Sequence, residues 1–236
     1  MKIQMKRALA LLLFAVCLCG VLAACDKQPE APKYDYLVLV NKENKLPDNW
    51  EAVIELEDAQ NTVPDGVALD ESNDYLSTDV FKVEKKALQA FRALQADLEK
   101  DGIVILLDST YRSVARQEEL WKEFEEEYGL DYTQKYVAVP GYSEHHTALA
   151  IDVCIIKDGV IINDNDRMIA EKEIFSEIHK RLADYGFILR FPEGKDAVTG
   201  YAYEPWHFRY IDSPAIAEEI MDNGLTLEEY LAKSAS

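Results

Sequence analysis

Between residues 140 and 152 the chain reads Pro-Gly-Tyr-Ser-Glu-His-His-Thr-Ala-Leu-Ala-Ile-Asp, and from 204 to 207 it reads Glu-Pro-Trp-His. The first stretch offers His145 and, seven residues later, Asp152; the second offers His207, with Glu204 three residues before it. Two imidazoles and one carboxylate are enough to hold a zinc ion and leave one coordination position open. A structural zinc is usually closed by four protein ligands rich in Cys, and this set is not of that kind. Glu204 is placed to be the proton carrier that a zinc hydrolase needs. The chemistry these residues point to is metal-dependent peptide hydrolysis.

Such residues must be held by rigid elements, and the sequence predicts them. β-branched content predicts a strand over 36–40, followed by a turn-rich stretch over 41–49. Residues 61–73, with Pro64 and Gly66, read as a loop. Leu88, Phe91, Leu94 and Leu98 recur at helical spacing, and Gly102 is a stop. A buried strand follows over 103–107, then a helix over 113–128 closed by Gly129, whose Glu-Phe-Glu-Glu-Glu run is a solvated face. Residues 150–156 form a strand with its turn at 157–159. Phe175, Ile178, Leu182 and Tyr185 mark another amphipathic helix, stopped by Gly186. Strands are predicted over 187–191 and 206–211. Ser213-Pro214 starts a helix as N-cap and first position, and Thr226 with Glu229 forms a capping box. Helices and strands interleave without a regular βαβ rhythm. That favours an α+β single domain, a mostly antiparallel central sheet flanked by helices, with the zinc site at the sheet.

The N-terminal segment implies a location outside the cytoplasm, and the net charge implies avoidance of polyanions. The formal net charge is −19, and a surface of that sign repels nucleic acid phosphates. Residues 1–24 carry Lys2, Lys6 and Arg7 with no acid, so their removal takes the charge to −22. They read as a positive segment followed by an apolar run too short for a spanning helix. The run ends in Leu-Ala-Ala before Cys25, which resembles a bacterial lipobox. The resemblance implies cleavage before Cys25 and a diacylglyceryl thioether on its sulfur; the alternative is an uncleaved anchor. Residues 25–33 are then the lipidated Cys and a tether, and 34–236 the catalytic domain, anchored to the membrane through lipid. Only Cys154 would remain, so the mature domain has no internal disulfide.

The chain also resembles a known family. Leu39-Val-Asn-Lys42, Tyr111-Arg-Ser113 with Gln117, Ser143-Glu-His145 through Asp152, and Glu204-x-Trp-His-x-Arg-Tyr210 are similar to the D-alanyl-D-alanine carboxypeptidases. That zinc peptidase family includes the vancomycin-resistance carboxypeptidases and the L,D-carboxypeptidases of cell-wall recycling. The resemblance covers 34–231. It implies that His145, Asp152 and His207 are zinc ligands and that Glu204 is the general base. It makes Arg112 the positive group near the scissile carbonyl, and Gln117 and Ser143 contacts to the substrate's terminal residue. The family usually has Gly at Ala148 and Gln at His146. If positive φ is needed at 148, Ala costs roughly 1 kcal/mol or more; if only a small side chain is needed, Ala is tolerated. The spacing to Asp152 favours His145 over His146 as ligand. Cys154, two residues past Asp152, lies on the same face of a strand about 7 Å along, and reads as a small buried hydrophobe before it reads as a ligand. His179 reads as a structural or surface residue.

The expected function is trimming of a terminal D-alanine from peptidoglycan stem peptides, with D,D-cleavage favoured. L,D-cleavage of tetrapeptide stems is the alternative. A non-catalytic cell-wall-binding lipoprotein would be expected to have lost the base or a ligand, and here all are present.

Overall fold

The computed structural model describes residues 34–69 and 73–235. The expected signal segment, Cys25 and the tether lie outside the described residues. The described residues form one compact unit. In chain order the elements are β1 (Leu56–Ala59), α1 (Tyr75–Thr78), β2 (Phe81–Glu84), α2 (Lys85–Leu98), β3 (Val104–Ser109), α3 (Val114–Tyr128), α4 (Leu130–Tyr136), β4 (Ala150–Lys157), β5 (Val160–Ile162), α5 (Asn165–Ala170), α6 (Lys172–Leu182), β6 (Phe187–Leu189), α7 (Asp196–Thr199), β7 (His207–Tyr210), α8 (Pro214–Asp222) and α9 (Leu227–Ser234). β1 and β2 form a ribbon, and the main sheet has the order β3-β4-β7-β6 with β5 also on β4. Each of these pairings is antiparallel, as an α+β chain with interleaved hairpins predicts.

β4 is the central strand. Ala150, Ile151, Val153, Cys154 and Ile155 are all fully buried, because the strand is covered on both faces. α2 packs on β3 and the β1–β2 ribbon, and α6 and α8 pack around β6. α2 buries Ala87, Leu88, Phe91, Leu94 and Leu98, one apolar stripe at helical spacing. The Glu84 carboxylate caps its start by accepting from Ala87 N at 2.8 Å. Alternation on β6 divides the core: Phe187 joins the main cluster, while Ile188 packs with Ile211, Ala217, Ile220 and Leu227 under α8 and α9. The Ser213 N-cap with Pro214 and the Thr226–Glu229 capping box are both formed.

The strand expected over 36–40 does not form a ladder. Tyr36 and Leu37 turn, and Val38 and Val40 are buried without pairing to a strand. The backbone acceptors find a side chain instead: Arg209 Nη2 donates to Tyr36 O at 2.9 Å and to Val38 O at 2.8 Å. The β-branched residues there fit a core position, which is a weaker requirement than a strand neighbour. The β1–β2 ribbon and α4, which restarts after Gly129, were not legible from periodicity.

Candidate active site

Strand register builds most of the site. Asp152 of β4 lies directly opposite His207 of β7, so their side chains share one sheet face. On the other edge Asp152 pairs with Ser109, after a bulge between Leu107 and Ser109 that leaves Asp108 as the extra residue. His145 comes from the 3-10 turn Glu144–Thr147 just before β4. Thr147 stitches this turn: its hydroxyl donates to Glu144 O at 2.7 Å and accepts from Leu149 N at 3.0 Å.

The turn is returned to the strand by Ala148, which has φ 60° and ψ 10° and is fully buried. Position 148 therefore does require the left-handed region, where an L-residue costs roughly 1–2 kcal/mol. The backbone around it is tied down from outside. Ala148 O accepts from Glu84 N at 3.2 Å, and Trp50 Nε1 donates to Thr147 O at 3.2 Å.

His145, Asp152 and His207 converge, each offering one ligand atom, with these atoms within 4.8 Å of one another. His145 Nε2 is 3.1 Å from Asp152 Oδ2, and His207 Nδ1 is 2.8 Å from Asp152 Oδ1. That Oδ1 is buried and receives no hydrogen bond despite the short approach. A carboxylate with one imidazole nitrogen at each oxygen, and one of those oxygens without a hydrogen-bond donor, fits a divalent cation, and the N, N, O set suits zinc. The far nitrogens are fixed from behind, as metal-ligating imidazoles usually are. His145 Nδ1 is 2.8 Å from Thr110 O, and His207 Nε2 is 3.0 Å from Glu144 Oε2.

Glu144 anchors a buried charge cluster. Its Oε1 accepts from Arg190 Nε and from Arg209 Nη1, both at 2.7 Å. Arg190 continues to the Glu228 carboxylate through Nη1 and Nη2 at 2.9 and 2.7 Å, and Glu228 accepts from Asn41 Nδ2 at 3.0 Å. Both guanidiniums are fully buried. Burial pushes the Glu144 carboxyl up, but Arg190, Arg209 and His207 outweigh it and hold the group well below the usual range. Asp152 behaves likewise: burial raises it, and His145 and His207 overcome that and hold it ionised. Burial disfavours the His207 imidazolium, yet Asp152 and Glu144 raise it to about 10, so a metal entering the site must displace a proton.

The cluster sits on the wall of a cavity of about 380 Å³ that is also lined by Arg112, Gln117, Ser143, Glu204 and Trp206. Glu204 Oε2 lies 3.7 Å from His207 Nδ1. Burial pushes its carboxyl up to about 7, with His207 pulling the other way. Arg112 Nη1 donates to Gln117 Oε1 at 2.9 Å and Nη2 to Ser109 Oγ at 3.0 Å. Gln117 Nε2 donates in turn to Ala138 O at 2.8 Å, so this amide orients the guanidinium. Ser143 is buried on the same wall.

The neighbouring residues stand aside. His146 approaches Arg112 O through Nδ1 at 2.6 Å and accepts from Gly141 N at Nε2, 3.1 Å, so both ring nitrogens are engaged away from the cluster. Cys154 is buried in the main core, and burial raises its thiol. His179 Nε2 is 2.8 Å from Pro205 O, which ties α6 to the loop carrying Glu204. Sequence reasoning gave no role to Arg190 or Arg209. Their signal was an arginine inside each of two otherwise apolar strand segments, which requires a buried acid nearby.

Known proteins similar to this chain identify its family. The family model described as VanY, D-alanyl-D-alanine carboxypeptidase, matches residues 80–213, more than half of the chain. The bifunctional D-Ala-D-Ala dipeptidase and D-Ala-D-Ala carboxypeptidase VanXYC of Enterococcus gallinarum is 39% identical over 197 residues, spanning 82% of this chain and 92% of that protein. A crystal structure of the vancomycin-resistance D,D-pentapeptidase VanY, a point mutant in complex with Zn(II), superposes with a TM-score of 0.59 at 30% identity, covering 83% of this chain and 98% of that one. The LdcB LD-carboxypeptidase superposes at 0.61 and 31% identity, covering 84% and 86%. On these matches, the chain belongs to the VanY-type D-alanyl-D-alanine carboxypeptidase family and is an enzyme with the zinc metallopeptidase fold.

Proposed function

We propose that this chain is an exported carboxypeptidase that removes a C-terminal D-alanine from peptidoglycan stem peptides, with D,D-cleavage its main reaction. The observation that carries the reading is the convergence of His145, Asp152 and His207, with Glu204 3.7 Å from His207, on a cavity wall shared with Arg112. His145 Nε2, one Asp152 oxygen and His207 Nδ1 are the atoms that would hold zinc. Bound zinc supplies Lewis acidity, acidifying a water and polarising the scissile carbonyl.

The chain's own residues do the rest. Glu204 takes a proton from the attacking water on its carboxylate and returns it to the leaving amine of D-alanine. Burial raises this carboxyl in the metal-free site, which favours its accepting a proton. Arg112 presents a fixed pair of donors to the developing oxyanion or the terminal carboxylate. Gln117 and Ser143 border the place of the terminal residue.

A second reading, L,D-cleavage of tetrapeptide stems, is favoured by one observation: the LdcB fold fits this chain as well as the D,D-enzyme does, at TM-scores of 0.61 and 0.59. Mass spectrometry of penta- and tetrapeptide stems after incubation with the zinc-loaded domain separates the two. Loss of D-alanine from the pentapeptide alone supports D,D-cleavage, and loss from the tetrapeptide alone overturns it. The sequence at 1–25, a positive segment, an apolar run and Leu-Ala-Ala-Cys, supports export and lipid anchoring through Cys25.

A further inference from the structure

We propose that α3 and α4 carry a glycan-binding track that leads out of the catalytic cavity and ends on Tyr128 and Tyr132. It rests on the peptidoglycan reading above and adds to it the sugar end of the substrate. Gln117, Leu120, Phe124 and Tyr128 recur at intervals of three, four and four residues, so they lie on one face of α3. The stripe begins at Gln117, which holds Arg112, passes Leu120 and Phe124 on the cavity wall, and emerges at Tyr128, half exposed. Gly129, at φ 84°, breaks the helix and lets α4 fold back, bringing Tyr132 beside Tyr128. The rings form a continuous surface: Phe124 and Tyr128 centroids are 5.5 Å apart, and Tyr128 and Tyr132 centroids 4.8 Å apart at 32°. Tyr132 also lines the cavity, and Leu130 beside it is 46% exposed. Exposed apolar surface continuous with a reaction cavity marks a binding surface.

Length and charge choose the occupant. From Gln117 to Tyr128 is eleven residues of helix, about 16 Å. The four stem residues that precede the scissile bond span about 14 Å when extended. A peptide whose C-terminus is at Arg112 and which runs along α3 therefore delivers its sugar to Tyr128. The flanking side chains are acidic and exposed: Glu125, Glu126, Glu127 and Asp131. They repel an anionic polymer and leave neutral N-acetylated amino sugars, whose C–H faces lie flat on tyrosine rings. Tyr128 lies outside the residues that line the cavity, so a short peptide is cleaved without it.

The test compares two substrates with the zinc-loaded domain: a free pentapeptide stem and the same stem on an N-acetylglucosaminyl-N-acetylmuramyl disaccharide. The wild type should show a higher kcat/KM on the disaccharide-linked stem. Tyr128→Ala should lower kcat/KM on that substrate about 5-fold, chiefly through KM, and leave the free stem within 2-fold. Tyr128→Phe, which keeps the ring, should retain the wild-type ratio. Equal rates on the two substrates in the wild type, or an equal effect of Tyr128→Ala on both, would overturn the track. If neither substrate were cleaved by the wild type, the carboxypeptidase reading would fail first; binding of the disaccharide-pentapeptide by titration calorimetry, lost in Tyr128→Ala, would still support the track, and its absence would overturn it.

Discussion

Replacing Glu204 with Gln keeps the shape of the side chain and removes its capacity to take a proton, and activity and stability should then move in opposite directions. Turnover should fall by roughly 10²- to 10⁴-fold. Stability of the metal-free protein should rise. Burial pushes the Glu204 carboxyl up to about 7, Asp152 and Glu144 add to it, and His207 offsets part. An acid whose folded pKa lies above its unfolded value of 4.5 loses stability as pH rises between the two, and the loss is complete above the folded value. A displacement from 4.5 to about 7 corresponds to about 3 kcal/mol. The side chain is 28% exposed to the cavity, so solvent screening leaves roughly 1–3 kcal/mol. Gln carries none of this cost. Urea unfolding of the chelated proteins should therefore show Glu204→Gln more stable than wild type at pH 8 and nearly equal at pH 4.5, with unchanged m values. Zinc-loaded Glu204→Gln should still hold about one zinc. Wild-type rates on every stem peptide would move the proton carrier elsewhere. Loss of zinc would make Glu204 a ligand, and lower stability at pH 8 would mean that the ionised carboxylate is favourably held, refuting the buried-base argument.

Three further outcomes follow from the same geometry and a fourth from the N-terminal sequence. His207→Ala should abolish zinc binding by metal analysis, since a two-ligand site holds zinc poorly. Glu144→Gln leaves Arg190 and Arg209 buried with less counter-charge; it should cost about 3–5 kcal/mol in chemical unfolding and weaken zinc affinity 10- to 100-fold in a competition titration. The wild-type contribution of Glu144 should be present above pH 4.5 and lost as pH falls toward its depressed folded value. Ala148→Gly relieves roughly 1–2 kcal/mol of left-handed strain but frees the unfolded chain by about 0.4–1 and unburies a methyl worth about 0.8. Its melting curve should thus shift by less than about 1 kcal/mol, with activity within a few-fold; a loss above 2 would refute the strain assignment. Cys25→Ser should remove lipid labelling and membrane association in cells, and unchanged labelling would rule out the lipobox reading.

What could be read beforehand divides along physical lines. Elements that announce themselves locally were legible: α2 and α6 through their apolar stripes, α3 through Ser113 and Gly129, and α8 and α9 through their caps. Strand partners were not, because pairing is a non-local choice that no single segment records. The segment 36–40 shows why. Its β-branched residues are satisfied by core contact, and its carbonyls by Arg209 from β7, 173 and 171 residues away in sequence.

The same distinction applies to the site. His145, Asp152, Glu204 and His207 were legible as a set because their residue types are rare in such spacing. The groups that hold them were not. Glu144 sits next to His145 in sequence yet reaches past it to His207, an orientation set by Arg190 just after β6 and by Arg209 on β7. Arg209 joins two functions in one guanidinium, neutralising Glu144 and satisfying the carbonyls of Tyr36 and Val38, and it does so two residues after His207 on the same strand. A ligand orientation that depends on such a network is expensive to disturb at any node, because each removal strands a buried charge. The network therefore positions His207 with a rigidity that the strand β7, only four residues long, does not supply on its own.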